Sequence, residues 1–338
     1  MKKIVAPCLV SVAIWGIAEI LPLESTIAQA QPIAPLQLAQ SLKSPKPITT
    51  LRGFNGVIVT FALTPDGNTL IAATGDGTVT ALDLRNREVL YTKAFNVNNF
   101  SNLVISADGA TFMAAQERII GVFDVRSGER RQTLTGHVGK VSALALSPDG
   151  TTLVSASGED QTLRVWNLDN GELVKTIGDN VGPVTEVVFS PDGKFLVTGS
   201  VGNNRYIKLW DASSLMLITT YPQQPYIYGL QVTHQGQTLL AAVKNYVTAW
   251  DITTSKKRWS KKGPALDINM IAVSPDGKLV ATANKEGTVM VFDVKNGKLL
   301  NTLKVQRGWV LGVAFSPDGR YLYGGGEDKT IQIWQIAP

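Results

Sequence analysis

From residue 47 onward the chain is built of short apolar runs separated by turn chemistry, and the pattern recurs. Its clearest mark is Ser-Pro-Asp-Gly or a variant, at Thr64–Gly67, Ser106–Gly109, Ser147–Gly150, Ser190–Gly193, Thr233–Gly236, Ser274–Gly277 and Ser316–Gly319. The closing glycines lie 42, 41, 43, 43, 41 and 42 residues apart. A run of apolar and small residues precedes each mark, as in Val141–Leu146 or Val310–Phe315, and another follows, as in Thr152–Ala156 or Phe195–Thr198. Proline presets φ near about −65°, aspartate bonds the local backbone and glycine accepts positive φ, so each mark reads as a strand-to-strand turn. A third run ends in a large residue and a polar one: Leu82-Asp83, Phe123-Asp124, Trp166-Asn167, Trp210-Asp211, Trp250-Asp251, Phe292-Asp293 and Trp334-Gln335. A fourth run, such as Arg131–Leu134 or Leu299–Leu303, leads into the next unit. The pattern predicts seven units of four strands each. Runs such as Val141–Leu146 are apolar or small on both faces, as expected of a sheet packed between two others.

These units resemble WD repeats, and the resemblance covers residues 47–338. It implies an all-β fold: a single seven-bladed β-propeller of four-stranded antiparallel blades. Unit seven stops after its third strand, and Pro47–Gly53 (PITTLRG) matches the fourth-strand run Gln132–Gly136 (QTLTG). Residues 47–53 are therefore expected to complete blade seven and close the ring, leaving no open edge at that seam.

The start of the chain reads differently. Lys2 and Lys3 precede an apolar stretch from Ile4 to Ile17, and Ala28-Gln29-Ala30 has the small-x-small form of a signal-peptidase site. Residues 1–30 are expected to be a signal peptide removed after Ala30, and 31–46 a flexible Pro/Gln/Ala-rich linker. The mature protein would then be exported, to the periplasm or the medium. Pro7 and Glu19 interrupt the apolar stretch, and no later segment is apolar enough to span a membrane.

Composition narrows the function classes. With 44% hydrophobic and 17% charged residues, a packed core is expected. One cysteine, lost with the leader, excludes a disulfide framework and multi-cysteine metal sites, and two histidines leave little for other metals. Lys+Arg 32 against Asp+Glu 27 gives +5, spread along the chain, which permits an acidic partner without demanding nucleic acid. No cofactor or metal is expected.

Several residues invite chemical readings. Gly136-His137 matches the Gly-His of the WD-repeat family, and unit three also holds Asp160, Trp166 and a serine, Ser155 or Ser157. The resemblance implies a buried chain from Trp to Ser to His to Asp that fixes the blade's geometry rather than a hydrolase triad. Unit seven keeps Asp328 and Trp334 but carries Gln306 at the histidine position. His234 replaces the proline of the fifth turn and is expected at an exposed loop tip. Gly324–Thr330 (GGGEDKT) lacks phosphate-loop spacing and precedes a strand. Ser255–Lys262 (SKKRWSKK) is the one basic cluster, read chiefly as a solvated outer strand whose lysines discourage edge pairing.

The most variable column lies seven residues before each mark: Val57, Asn99, Lys140, Pro183, Tyr226, Asp267 and Trp309. Sevenfold packing would impose similar residues there. This column, with Tyr228 and Arg307 beside it, holds the residue types enriched in binding hot spots. Lys140, Tyr226, Tyr228, Asp267, Arg307 and Trp309 are therefore the candidate binding residues, and His137, Ser155, Asp160 and Trp166 the structural set. The expected function is a non-catalytic, exported scaffold or recognition module for one or more proteins, monomeric on its own and without nucleic acid. Two alternatives stand beside it. One is a lactonase- or hydrolase-type propeller using Asp267, Glu159, Glu327 or Lys140 near the central mouth. The other is an envelope glycan binder using Trp259 or Trp309 with nearby lysines.

Overall fold

The computed structural model describes residues 46–336, apart from 96–99, 179–181, 202–205, 222–225 and 306. The predicted leader and all of the linker but Lys46, together with Asn99 and Gln306, lie outside the described residues. Twenty-eight strands form seven four-stranded antiparallel sheets, with no helix among the described residues. Six blades are continuous in sequence, spanning 58–94, 100–134, 141–177, 184–220, 227–262 and 268–304. The seventh joins strands within 310–335 to Thr49–Leu51, which pairs antiparallel with Ile331–Gln335 through Thr49↔Ile333, Thr50↔Gln332 and Leu51↔Ile331. The inner strand of each blade contacts the inner strands of both neighbours, with Ile58–Leu63 against Val310–Phe315 completing the circle.

The turn mark works as its chemistry requires. In blade three Ser147 Oγ donates to Asp149 Oδ1 at 2.5 Å and accepts from Thr152 N at 2.9 Å, while Gly150 adopts φ 76°. The arrangement recurs at Ser106, Ser190, Ser274 and Ser316. Each such turn satisfies its own backbone, leaving the flanking strands free to bury apolar residues between blades. Val141–Leu146 and its equivalents are almost wholly buried.

Two repeated devices position the rest. The first is a bulge one residue into every inner strand, as between Val141 and Ala143, Ile227 and Gly229, or Ile268 and Met270. A bulge re-aims the side chain it carries, and in blades three and six the bulge residue reaches the following blade. Ser142 Oγ donates to Val184 O at 2.7 Å, and Asn269 Nδ2 to Val310 O at 2.8 Å. The second joins outer strands. Tyr91 OH donates to Val125 O at 3.0 Å, and the Trp259 indole N–H to Val294 O at 2.9 Å. A β-carbon added at Gly128 or Gly297, both at positive φ, would lie 2.6 Å from the Tyr91 or Trp259 ring, so these turns admit the aromatic only with glycine. Trp259 is thus 9% exposed and packs between blades five and six. That leaves the glycan-binding alternative without the Trp259 ring, which blade packing consumes.

Candidate functional site

The mouth of the ring opposite the Ser-Pro-Asp-Gly turns is built from two interlocked columns. At Val57, Pro183, Tyr226, Asp267 and Trp309 the residue seven before the mark lends its carbonyl to the backbone N–H of a residue in the next turn between second and third strands. Lys244 N donates to Tyr226 O at 2.8 Å, Lys285 N to Asp267 O at 3.1 Å, and Glu327 N to Trp309 O at 3.1 Å. In blades five to seven each rim position therefore carries two side chains side by side, one from each column.

In blades five to seven those side chains converge. Tyr226 and Tyr228 stack with centroids 6.3 Å apart and planes at 23°. Tyr228, on the bulge of its strand, reaches into blade six, where its hydroxyl donates to Asp267 Oδ2 at 3.2 Å. Lys285 Nζ donates to the same oxygen at 3.2 Å. The ammonium also lies 5.4 Å from the Tyr228 ring centre and 5.0 Å from that of Trp309, within cation–π reach of both. Desolvation, then the Asp267 carboxylate, pushes the Tyr228 hydroxyl upward in pKa. Tyr226 and Trp309 are each 44% exposed, so the cluster is ordered underneath and open above.

Four of the six candidate binding residues, Tyr226, Tyr228, Asp267 and Trp309, thus belong to one cluster across three blades. The other two do not join it by any described contact. Lys140 lies on blade three and pairs with Glu117 at 3.6 Å. Arg307 is exposed two residues before Trp309. Lys285 is the member that the sequence reading missed. Eleven residues after the mark the units read Gly75, Glu117, Gly158, Val201, Lys244, Lys285 and Glu327, a column as variable as the one seven residues before it.

Two of the carboxylates considered for catalysis are engaged by backbone N–H groups in separate blades. Glu159 Oε2 accepts the Lys140 N–H at 2.9 Å in blade three, and Glu327 Oε2 the Trp309 N–H at 2.8 Å in blade seven. Each caps the loop entering an inner strand. Among the described residues no three of His, Cys, Asp and Glu are grouped to hold a metal ion.

Blade three contains the polar chain. The Trp166 indole donates to Ser155 Oγ at 2.8 Å, Ser155 Oγ meets His137 Nε2 at 2.7 Å, and His137 Nδ1 meets Asp160 Oδ2 at 2.8 Å. Ser157 instead accepts the Asp160 N–H at 3.2 Å. Ser155 is fully buried, and both its polar partners lie inside the blade. Burial depresses the His137 pKa despite the adjacent carboxylate. Burial alone would raise Asp160, but Thr162, His137 and the Gly139 N–H outweigh it and hold the carboxyl at about 2. His234 is exposed at its turn.

Comparison with known proteins agrees with this architecture. The family model described as WD domain, G-beta repeat matches residues 45–80, 128–167, 171–211 and 297–335, and an anaphase-promoting complex subunit 4 WD40 domain model matches 232–311. An uncharacterized WD repeat-containing protein of Synechocystis sp. is 49% identical over 274 residues, covering 80% of this chain and 79% of that protein. Two further relatives match over shorter stretches. The transcription factor unc-37 of Caenorhabditis elegans is 26% identical over 40% of this chain and 24% of its own, and the small ribosomal subunit protein RACK1y of Oryza sativa 35% identical over 27% and 26%. The chain belongs to the WD-repeat family, whose propellers generally mediate protein interactions.

Proposed function

We propose that this protein is an exported, non-catalytic interaction module that grips a partner protein with the mouth of blades five to seven. The single observation that carries the proposal is the cluster of Tyr226, Tyr228, Asp267, Lys285 and Trp309: exposed aromatic faces over a half-buried ion pair. Aromatic side chains offer large contact area at low entropic cost, and here their supports are already ordered, which lowers the cost of binding. Export is supported by the sequence of residues 1–30.

The test is a cross-linked pull-down from the envelope and medium of the exporting cell. The chain from Gln31 to Pro338 serves as bait beside a Tyr226→Ala/Arg307→Ala/Trp309→Ala variant. A protein held by the first and lost by the second supports the proposal. Equal capture by both moves the binding face elsewhere, and a bound glycan or a released hydrolysis product in place of a protein overturns the proposal.

A further inference from the structure

The charge excess is not spread along the chain as its composition suggests. Residues 244–304 hold 11 of the 32 cations and 5 of the 27 anions, a balance of +6, while the remainder balances at 21 − 22 = −1. These residues lie in blades five and six, whose first stretch, 227–243, has no Lys, Arg, Asp or Glu. Within them Arg258 is paired with Asp251 at 2.6 Å, Lys278 with Asp276 at 3.2 Å and Lys285 with Asp267 at 3.2 Å. Asp293 accepts the Asn296 N–H and Glu286 the Leu266 N–H. Besides Lys244 on the rim of the mouth, Lys256, Lys257, Lys261, Lys262, Lys295, Lys298 and Lys304 remain, all exposed and in no ion pair among the described residues.

Their placement makes one surface. Lys257–Lys262 is the outermost strand of blade five and Leu299–Lys304 that of blade six, its neighbour in the ring. Lys256, Lys257, Lys295 and Lys298 cluster where the third strand turns into the fourth, and Lys261, Lys262 and Lys304 at the far end. The stripe therefore runs the full height of the outer wall. Lysines on an edge strand guard it against pairing; seven on adjacent blades, with the nearby acids already engaged, also create a field directed outward.

Exposed apolar groups border the stripe: Tyr246 (42% exposed), whose Cα pairs with that of Lys262, with Leu266 (52%) and Leu299 (44%). The cations free for a ligand are ammoniums on flexible stems, without the forked guanidinium that grips single phosphates in register, and the Trp259 ring is unavailable for stacking on a base or sugar. A convex lysine wall with short apolar tips suits a flat array of anionic headgroups, where lysines reach the charge and tyrosine and leucine enter the interface.

We propose that the outer wall of blades five and six docks on a bilayer surface of anionic phospholipid, leaving the mouth of the ring free for its partner. Flotation with phosphatidylglycerol/phosphatidylcholine vesicles tests this, using the chain from Gln31, which contains the whole ring. The wild type should float with anionic vesicles at low salt, be released by about 0.5 M salt as screening shortens the Debye length, and stay behind with pure phosphatidylcholine. Lys256→Glu/Lys257→Glu/Lys261→Glu/Lys262→Glu should lose at least tenfold in bound fraction. Reversal of four exposed cations elsewhere, Arg118, Arg126, Lys175 and Arg320, gives the same net charge and should bind as the wild type. Equal loss in both variants, binding to neutral vesicles, or failure on vesicles with retention on a DNA or anionic polysaccharide column would overturn the proposal. Matching circular dichroism spectra and melting temperatures exclude misfolding as the cause of a loss.

Discussion

The Lys285 ammonium lies 5.0 Å from the centre of the Trp309 ring, held there by its bond to Asp267 Oδ2. Blade six thereby links aromatic side chains of blades five and seven, which are not neighbours in the ring. Lys285 and Asp267 keep 24% and 34% side-chain exposure, so their pairing contributes little to global stability, on the order of 1 kcal/mol or less. Its consequence is local: it fixes the base of the open aromatic surface.

That relationship can be read optically. Trp309 is the one exposed indole among the described residues; Trp166, Trp210, Trp250, Trp259 and Trp334 are at most 9% exposed. Iodide and acrylamide should each quench one accessible fraction of the fluorescence, absent in Trp309→Phe. Lys285→Met should weaken quenching by iodide at low ionic strength and leave acrylamide unchanged, because only the anion feels the lost charge. Equal changes with both quenchers would mean that the ring itself has moved.

The seventh blade supplies an internal control for the polar chain of the third. Gly324 occupies in blade seven the place of Ser155, and the Trp334 indole N–H finds no partner among the described residues. Trp166→Phe removes a made hydrogen bond and leaves Ser155 and His137 short of one; Trp334→Phe removes an unmade one. Chemical denaturation should show Trp166→Phe the more destabilising, by about 1 kcal/mol or more. Equal losses would mean that the indole bond contributes nothing net.

Titration acts on stability in two opposite senses. Hydrogen bonds, from the Ser127 N–H on Asp124 and from the Arg258 side chain on Asp251, hold these carboxyls at about 2, as Asp160 is held. Unfolded carboxyls titrate near about 3.9, so this stability is present above that pH and is lost as pH falls toward 2. His137, its pKa depressed by burial, has the same sign below its unfolded value of 6.5. Glu186, on the inner strand of blade four, is the reverse: desolvation pushes its carboxyl up to about 8, so its share is present in acid and lost as pH rises through 8. Melting temperatures from pH 5 to 9 should show Glu186→Gln gaining on the wild type as pH rises. A constant difference between the two would contradict the shift.

The repeat made the fold legible, because turn chemistry and alternation recur seven times and a closed ring is what seven such units with a displaced strand can form. The half-column Tyr226, Asp267 and Trp309 was legible for the same reason: framework positions are uniform, so a variable one stands out. Lys285 was hidden because it lies in a turn whose backbone pairing with the first column exists only after folding. Trp259 was misread for a related cause. Amid lysines it looks solvated, yet successive residues of an edge strand face opposite ways, and its face is the one covered by blade six. The lysine wall likewise joins two stretches of sequence that only neighbouring blades bring together.

The most direct test of the mouth as binding face is an affinity panel on the partner captured by pull-down. Tyr226→Ala, Trp309→Ala and Lys285→Met should each weaken binding at least tenfold, about 1.4 kcal/mol, while Lys140→Ala on the far side of the mouth leaves it within twofold. Unchanged affinity in the first three, or a loss confined to Lys140→Ala, would contradict a binding face on blades five to seven.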